Sequence, residues 1–174
     1  MFTEKIYNED FLADSDIDEK TIRSRAIMLN SNDEILMCYS NGLSHYEFPG
    51  GHLENGESLK TGLRRELIEE TGINIEVNDM IPFYLIKYYC KNYHQSGKNR
   101  LVEIYYFIIY TDLKFDYYNR SLDINEINQN YECRYVSTDN LHNILLYNKQ
   151  TTKERNTALD DTILVWDEYR KRGK

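Results

Sequence analysis

Residues 51–73, GHLENGESLKTGLRRELIEETGI, limit the fold more than any other stretch of this 174-residue chain. The segment begins with a glycine-rich loop and continues into a run whose leucines recur at helical spacing. Ser58 is a suitable N-cap and Gly72 a suitable stop, because serine caps helix starts and glycine adopts the left-handed conformation at helix ends. The sequence therefore predicts a glycine loop followed by a helix over residues 58–71.

Three acidic residues on one face of this predicted helix would repel one another. Glu66, Glu69 and Glu70 lie at i, i+3 and i+4, and like charges at that spacing destabilise an isolated helix. A hard divalent cation such as Mg²⁺ would relieve the repulsion, since it prefers oxygen ligands. The pattern predicts either a metal site or a solvated helix face. If it is a metal site, Glu70→Gln should leave the metal-free stability unchanged or slightly higher.

Composition and charge exclude several classes of protein. The chain is 41% hydrophobic and 29% charged, as in ordinary globular proteins, and its length suits one domain. Its formal charge of −8 argues against extended nucleic-acid partners, and no apolar run is long enough to span a membrane. Cys38, Cys90 and Cys133 are few and scattered. These observations predict a cytoplasmic protein with reduced thiols and no disulfide framework.

The remaining sequence alternates between strand and helix patterns. Apolar runs predict strands over residues 22–29, 34–40, 81–90, 101–113 and 133–137, the first two forming a hairpin. A helix is expected after Ser137 or Asp139, and a last amphipathic helix from Thr152 to Arg170. In that last helix, Trp166 and Tyr169 would pack on the domain or form a homodimer contact. For the first ~20 residues an extra strand or an ordered arm is as well supported as disorder.

The fixed positions of the glycine loop and acidic helix form a known signature. They read G-x5-E-x7-R-E-L-x-E-E-x-G-I and correspond to Gly51, Glu57, Arg65, Glu66, Leu67, Glu69, Glu70, Gly72 and Ile73. This pattern resembles the Nudix box, the signature of the Nudix hydrolase family, at every fixed position. The resemblance implies an α/β/α sandwich with a mixed β-sheet. A single domain would occupy residues 1–174, with 1–22 as an N-terminal arm and 150–174 as an appended helix.

The resemblance also implies an activity and a set of site residues. The family's activity is divalent-metal-dependent pyrophosphohydrolysis, with Mg²⁺ as the ion and Mn²⁺ as a substitute. Glu66, Glu69 and Glu70 would bind the ion together with a backbone carbonyl of Gly50 or Gly51. Arg65 and Glu57 would hold the loop and the helix in register. The general base is either Glu66 or a later acid, for which the candidates are Glu103, in a strand pattern, Glu126 and Glu132. Glu126 lies closest to the place of the family's extra acid and would act as a base or as a further metal ligand.

The substrate is less constrained than the reaction. A nucleoside triphosphate or a related small nucleotide is the leading hypothesis. Tyr89 lies where dinucleoside polyphosphate hydrolases of the family carry a tyrosine. Lys98 and Arg100 belong to the densest basic cluster, which would be either a phosphate clamp or a solvated hairpin tip. Two alternatives remain: a catalytically silent nucleotide-binding module that regulates a partner, and a diphosphohydrolase of a non-nucleotide substrate.

Overall fold

The computed structural model describes residues 1–40, 45–152 and 157–172. Its strands are β1 Thr3–Tyr7, β2 Glu19–Leu29, β3 Glu34–Ser40, β4 His45–Glu47, β5 Gly50–His52, β6 Ile81–Cys90, β7 Arg100–Tyr110 and β8 Glu132–Ser137. Its helices are α1 Leu59–Thr71, α2 Ile124–Asn128, α3 Thr138–Thr151 and α4 Thr157–Lys171.

The described strands form one mixed sheet. The main path runs β1-β6-β7-β2-β3-β4, while β5 pairs with β2 and β8 pairs with β3. The β1/β6 and β2/β7 pairs are parallel, and the other pairs are antiparallel. Strand β2 is central, because it contacts β7 along its whole length and also holds the short strand β5.

Alternating residues of the sheet face two separate hydrophobic layers. On β2, Ala26 and Met28 pack in the cluster that contains Leu63 and Leu67 of α1. Their neighbours Ile27 and Leu29 pack in the opposite cluster, which receives side chains from α3 and α4. This division follows from the two-residue period of a strand. Helices thus cover both faces of a mixed sheet, which confirms the predicted α/β/α class.

Both terminal segments pack against the body of the protein. The N-terminal strand β1 pairs with β6 from Thr3↔Tyr84 to Tyr7↔Tyr88, so the extra-strand expectation is confirmed. Trp166 of α4 is 1% exposed in the core and stacks on Tyr169. Of the two alternatives, packing on the domain is therefore the one observed for Trp166, and a homodimer stays a prediction. Within the described ranges, no helix is both long and apolar enough to cross a membrane.

The acidic helix has the predicted ends, but the loop before it contains more regular structure than expected. The Ser58 hydroxyl accepts a hydrogen bond from the Thr61 N–H, and Gly72 adopts the left-handed conformation at the C-terminus of α1. Residues 45–47 and 50–52, for which no strand was predicted, are the short strands β4 and β5. Tertiary pairing with β3 and β2 explains the difference, since three-residue strands have no periodic signal of their own.

The expectation of reduced thiols is wrong for two of the three cysteines. Cys38 of β3 and Cys133 of β8 are directly opposite in an antiparallel pair, with Cα atoms 4.1 Å apart, and form a disulfide. Cys90 is free. The partners are 95 positions apart, so local cysteine spacing could not predict the pairing. The cytoplasmic location stays a prediction, but reduced thiols no longer support it.

The disulfide predicts a thiol count. Alkylation in denaturant without a reductant should modify Cys90 alone, and all three cysteines should react after reduction. Intact-mass spectrometry gives the number of labels. Cys90→Ser is the control and should take up no label before reduction. Labelling of Cys38 and Cys133 in the unreduced protein would contradict the pairing.

Candidate active site

Arg65 connects the acidic residues of α1 to the loop before the helix. Its Nε and Nη2 atoms bind the Glu57 carboxylate at 2.9 and 3.0 Å, and Nη2 also donates to the His52 carbonyl at 2.9 Å. Its Nη1 atom donates to both Glu66 and Glu69 at 2.9 Å. The predicted contact between Arg65 and Glu57 is therefore present. The arginine, rather than a metal alone, offsets the repulsion among the acids.

The glycine loop lies directly against this acidic face. A Cβ atom on Gly51 would lie 2.5 Å from the carboxyl carbon of Glu66, so only glycine permits this approach. Gly50 has φ +126°, and a Cβ there would lie 2.2 Å from the Ser24 carbonyl oxygen. The two glycines let a short backbone segment fit between strand β2 and the Glu66 carboxylate.

Glu70 is directed to this loop and not to solvent. Its side chain is buried, with Oε2 accepting the Gly50 N–H and Oε1 accepting the Tyr131 hydroxyl, both at 2.7 Å. Burial raises the pKa of Glu70 well above its usual value, although the two hydrogen bonds lower it. Glu66 and Glu69 instead share Arg65 at the more open side of the helix.

Glu126 belongs to the same electrostatic environment. It lies in α2, where its carboxylate accepts the Asp123 N–H at 2.7 Å. Burial raises its pKa, and the charges of Asp123 and Glu69 raise it further. The pKa of Glu66 is likewise raised by burial, against the ion pair with Arg65, and the charges of Glu69 and Glu126 add to the increase. The structure therefore brings Glu126 close enough to repel both Glu66 and Glu69.

The other two candidate acids have different surroundings. Glu103 is buried on β7 and binds Lys20 at 2.8 Å and the Tyr105 hydroxyl at 2.9 Å. Glu132 is exposed at the start of β8. Neither contact of Glu103 involves α1 or the glycine loop. Of the three later acids, Glu126 is the one whose charge raises the pKa of Glu66.

The donor set suits a hard cation. Carboxylate oxygens of Glu66 and Glu69 lie beside the Gly51 backbone, and oxygen ligands are those that Mg²⁺ prefers. Across residues 1–40, 45–152 and 157–172, however, no three acidic, histidine or cysteine side chains converge closely enough to hold an ion. The carboxylates are engaged by Arg65, Gly50 and Tyr131 instead. Each carboxylate oxygen has a second lone pair, so these bonds leave capacity for a metal.

A cleft of about 320 Å³ opens on the other face of β5. Gly51 faces Glu66, whereas the next residue, His52, lines the cleft, as the alternation of a strand requires. The cleft walls combine cationic and aromatic side chains with one buried acid: Arg23, Arg25, Arg100, Tyr88, Tyr93, Tyr106 and Asp161. Arg23 donates from Nε to Nε2 of His52 at 3.0 Å, and burial lowers the pKa of His52, which suits a neutral imidazole acceptor.

The three predicted substrate contacts are distributed over different surfaces. Arg100 lines the cleft, with its guanidinium 4.2 Å from the centroid of the Tyr93 ring. Lys98 is more exposed and binds Glu19 at 2.7 Å. The Tyr89 hydroxyl donates to Asp14 at 2.7 Å, on the face of β6 opposite to its cleft-lining neighbour Tyr88. The structure thus brings Arg100 to the cleft but not Tyr89 or Lys98.

Several residues of the site carry no local signal in the sequence. Tyr131 reaches Glu70 from 61 positions along the chain. Arg25 and Glu47 form a largely buried ion pair at 2.8 Å between strands β2 and β4. Asp161 enters the cleft from α4, where its carboxylate accepts the Tyr88 hydroxyl. Buried polar residues in an apolar strand or helix could have marked Arg25 and Asp161, because such groups need partners.

Comparison with known proteins decides the family. The model of the NUDIX domain matches residues 20–157, most of the chain. The chain belongs to the Nudix family. Its box, Gly51 to Ile73, lies within the matched range, whereas most of α4 lies beyond it.

Individual Nudix relatives are similar over shorter stretches or at the level of the fold. A putative 8-oxo-dGTP diphosphatase of Bacillus subtilis is 34% identical over 58 residues, 33% of this chain and 39% of that protein. A NUDIX hydrolase from Nitrosomonas europaea has a TM-score of 0.56 at 17% identity, covering 88% of this chain and 90% of the other. The Ap4A hydrolase of C. elegans has a TM-score of 0.51 at 13% identity, covering 87% and 97%.

The hydrogen bonds of Glu70 reverse the stability expected for Glu70→Gln. A glutamine amide has one acceptor oxygen in place of two, so it can keep the Gly50 N–H bond only if the Tyr131 hydroxyl reverses to accept from the amide nitrogen or loses its buried partner. We expect the metal-free free energy of unfolding to fall by about 1–3 kcal/mol, measured by urea denaturation. Glu69→Gln, at a partly exposed ion pair, is the control and should change it by less than about 1 kcal/mol. Equal effects would contradict the assigned role of Glu70.

Asp161 predicts a pH dependence of stability. Burial raises its pKa from the usual 3.8 to about 6. Because the folded pKa is the higher one, the stability contributed by Asp161 is present below about pH 4 and lost as the pH rises through about 6. In Asp161→Asn the amide oxygen can still accept the Tyr88 hydroxyl, but nothing titrates there. Relative to wild type, its free energy of unfolding should rise by about 1–3 kcal/mol between pH 4 and pH 7.

Chemical denaturation at a series of pH values measures this difference. Asp160→Asn removes a neighbouring charge that pairs with Lys149 near the surface, and it should not reproduce the gain. A constant difference between Asp161→Asn and wild type across the range would show that Asp161 titrates as an ordinary carboxylate.

Proposed function

We propose that this Nudix protein is a divalent-metal-dependent pyrophosphohydrolase of a small nucleotide, with a nucleoside triphosphate as the leading substrate. The observation that carries the proposal is the position of strand β5. Gly51 contacts the acidic face of α1 through Glu66, and His52 lines the cationic, aromatic cleft. A ligand whose phosphates lie at the glycine loop can therefore extend its remaining part into the cleft.

The chemistry of the cleft suits a nucleoside. Arg23 and Arg100 offer guanidinium groups to phosphate oxygens. Tyr88 and Tyr93 offer partly exposed aromatic side chains, on which a base can stack. The carboxylate of Asp161 can accept from the N–H groups of a base edge. The names of the B. subtilis diphosphatase and the C. elegans Ap4A hydrolase, which both refer to nucleotides, support the same substrate class.

The acidic face supports the hydrolytic part of the proposal. Glu66 and Glu69, with the backbone of Gly51 and a remaining lone pair of Glu70, would hold Mg²⁺, for which Mn²⁺ can substitute. The bound ion would neutralise part of the phosphate charge and lower the pKa of a coordinated water. Arg65 and Glu57 hold the helix and loop in place around it. Either Glu66 or Glu126 would accept the proton of the attacking water.

Glu69→Gln tests the metal role at a residue whose change should leave the fold intact. We expect kcat to fall by about 100-fold or more, because losing a metal ligand removes transition-state charge stabilisation worth several kcal/mol. The rise of Tm with added Mg²⁺ should shrink as well. Steady-state assays and thermal denaturation with and without Mg²⁺ measure the two effects.

Glu76→Gln is the matched control, since Glu76 also pairs with an arginine, Arg64, but is largely exposed and lies after the end of α1. It should keep the wild-type kcat and Mg²⁺ response. The substrate panel consists of nucleoside triphosphates, dinucleoside polyphosphates, ADP-ribose and nucleotide sugars with Mg²⁺ or Mn²⁺. Wild-type turnover by Glu69→Gln would refute the metal role, and hydrolysis of none of these compounds would refute the substrate class.

A further inference from the structure

The segment between β7 and β8 is hydrogen-bonded to the C-terminal turn of α1. The Asp116 N–H donates to the Thr71 carbonyl and the Ser121 N–H donates to the Glu69 carbonyl, both at 2.8 Å. These carbonyls belong to the last turn of the helix, where no intrahelical donor follows. The segment therefore caps the end of the acidic helix while it leads through α2 to β8.

Tyr131 is the residue at which this segment meets the glycine loop. Its hydroxyl donates to Oε1 of Glu70, whose Oε2 accepts the Gly50 N–H, and each bond is 2.7 Å. Tyr131 and Glu70 are each 5% exposed, so water does not compete for these bonds. The Tyr131 backbone N–H donates to the Glu126 carbonyl at 3.0 Å. The Tyr131 side chain is thus bonded to Glu70, which holds the glycine loop, and the Tyr131 backbone is bonded to α2.

We propose that Tyr131 is a positioning residue, whose hydroxyl fixes the Gly50–Gly51 loop in place beside the acidic face. The proposal rests on the proposed hydrolytic function. Glu70 can keep the Gly50 N–H in one place only if the Glu70 carboxylate itself does not rotate. The hydrogen bond from the Tyr131 hydroxyl prevents that rotation. Loss of the hydroxyl would let the carboxylate rotate and release the loop backbone that approaches Glu66. The reaction would slow because small misplacements of catalytic groups are costly.

A purely structural tyrosine would behave differently, and the protein contains a matched example. Tyr105 donates its hydroxyl to Oε2 of Glu103 at 2.9 Å, and Glu103 is also 5% exposed. This pair lies along strand β7 and has its own lysine partner, Lys20. Tyr105→Phe therefore removes a tyrosine–glutamate hydrogen bond that does not hold the glycine loop, at a tyrosine less buried than Tyr131.

The experiment compares Tyr131→Phe and Tyr105→Phe in the full chain. Without metal or substrate, amide hydrogen exchange of the segment that contains Gly50 should accelerate about tenfold in Tyr131→Phe only, as expected when one protecting hydrogen bond is weakened. With Mg²⁺ and the substrate that the panel identifies, kcat should fall about 10- to 100-fold, with KM within about twofold. Tyr105→Phe should keep the wild-type values of both.

The outcomes separate this proposal from the proposed function. Unchanged exchange at Gly50 in Tyr131→Phe overturns the positioning role whatever the activity, because that measurement needs no substrate. Faster exchange with an unchanged kcat, or an equal loss of kcat in both variants, also overturns it. If wild type hydrolyses no compound of the panel, the proposed function fails and the role of Tyr131 in catalysis fails with it, even where the exchange result shows that Tyr131 holds the loop.

Discussion

The arrangement of the site depends on the guanidinium of Arg65. A single planar cation binds Glu57 from the loop, Glu66 and Glu69 from the helix, and the His52 carbonyl from β5. Arginine can do this because its five donors diverge in a fixed plane, whereas lysine is a compact point charge. Without this residue the acidic helix would bear unbalanced repulsion, and β5 would lose a contact to it. The fold of the loop and the charge of the site are therefore set by the same side chain.

Features that follow from local sequence were predictable. The acidic helix, its Ser58 cap and its Gly72 end are confirmed, because capping and helical spacing act within a few residues. The strands over 81–90 and around 133–137 are also confirmed, because a run of apolar strand-forming residues is likewise a local signal. Strands β4 and β5 were missed, since their pairing partners and not their own residues determine them.

The parts of the site that were not predicted depend on contacts between distant segments or on the side of a strand that a residue faces. Tyr89 matched a family position by its distance along the chain, yet its neighbour Tyr88 lines the cleft. In a strand, an error of one residue moves a side chain to the opposite face. The Tyr131–Glu70 bond and the Cys38–Cys133 disulfide join residues 61 and 95 positions apart. No spacing rule within one segment can indicate such pairs.

Helix α4 has a consequence for how the molecule can be divided. The match to the family ends at residue 157, where α4 begins, but Leu159, Val165 and Trp166 complete the hydrophobic layer on that face of the sheet. The same helix contributes Asp161 to the cleft. A chain cut at the family boundary would expose an apolar sheet face and lose one wall of the cleft. The unit that folds here, and that a fusion or a transplanted domain must carry intact, is therefore larger than the unit that defines the family.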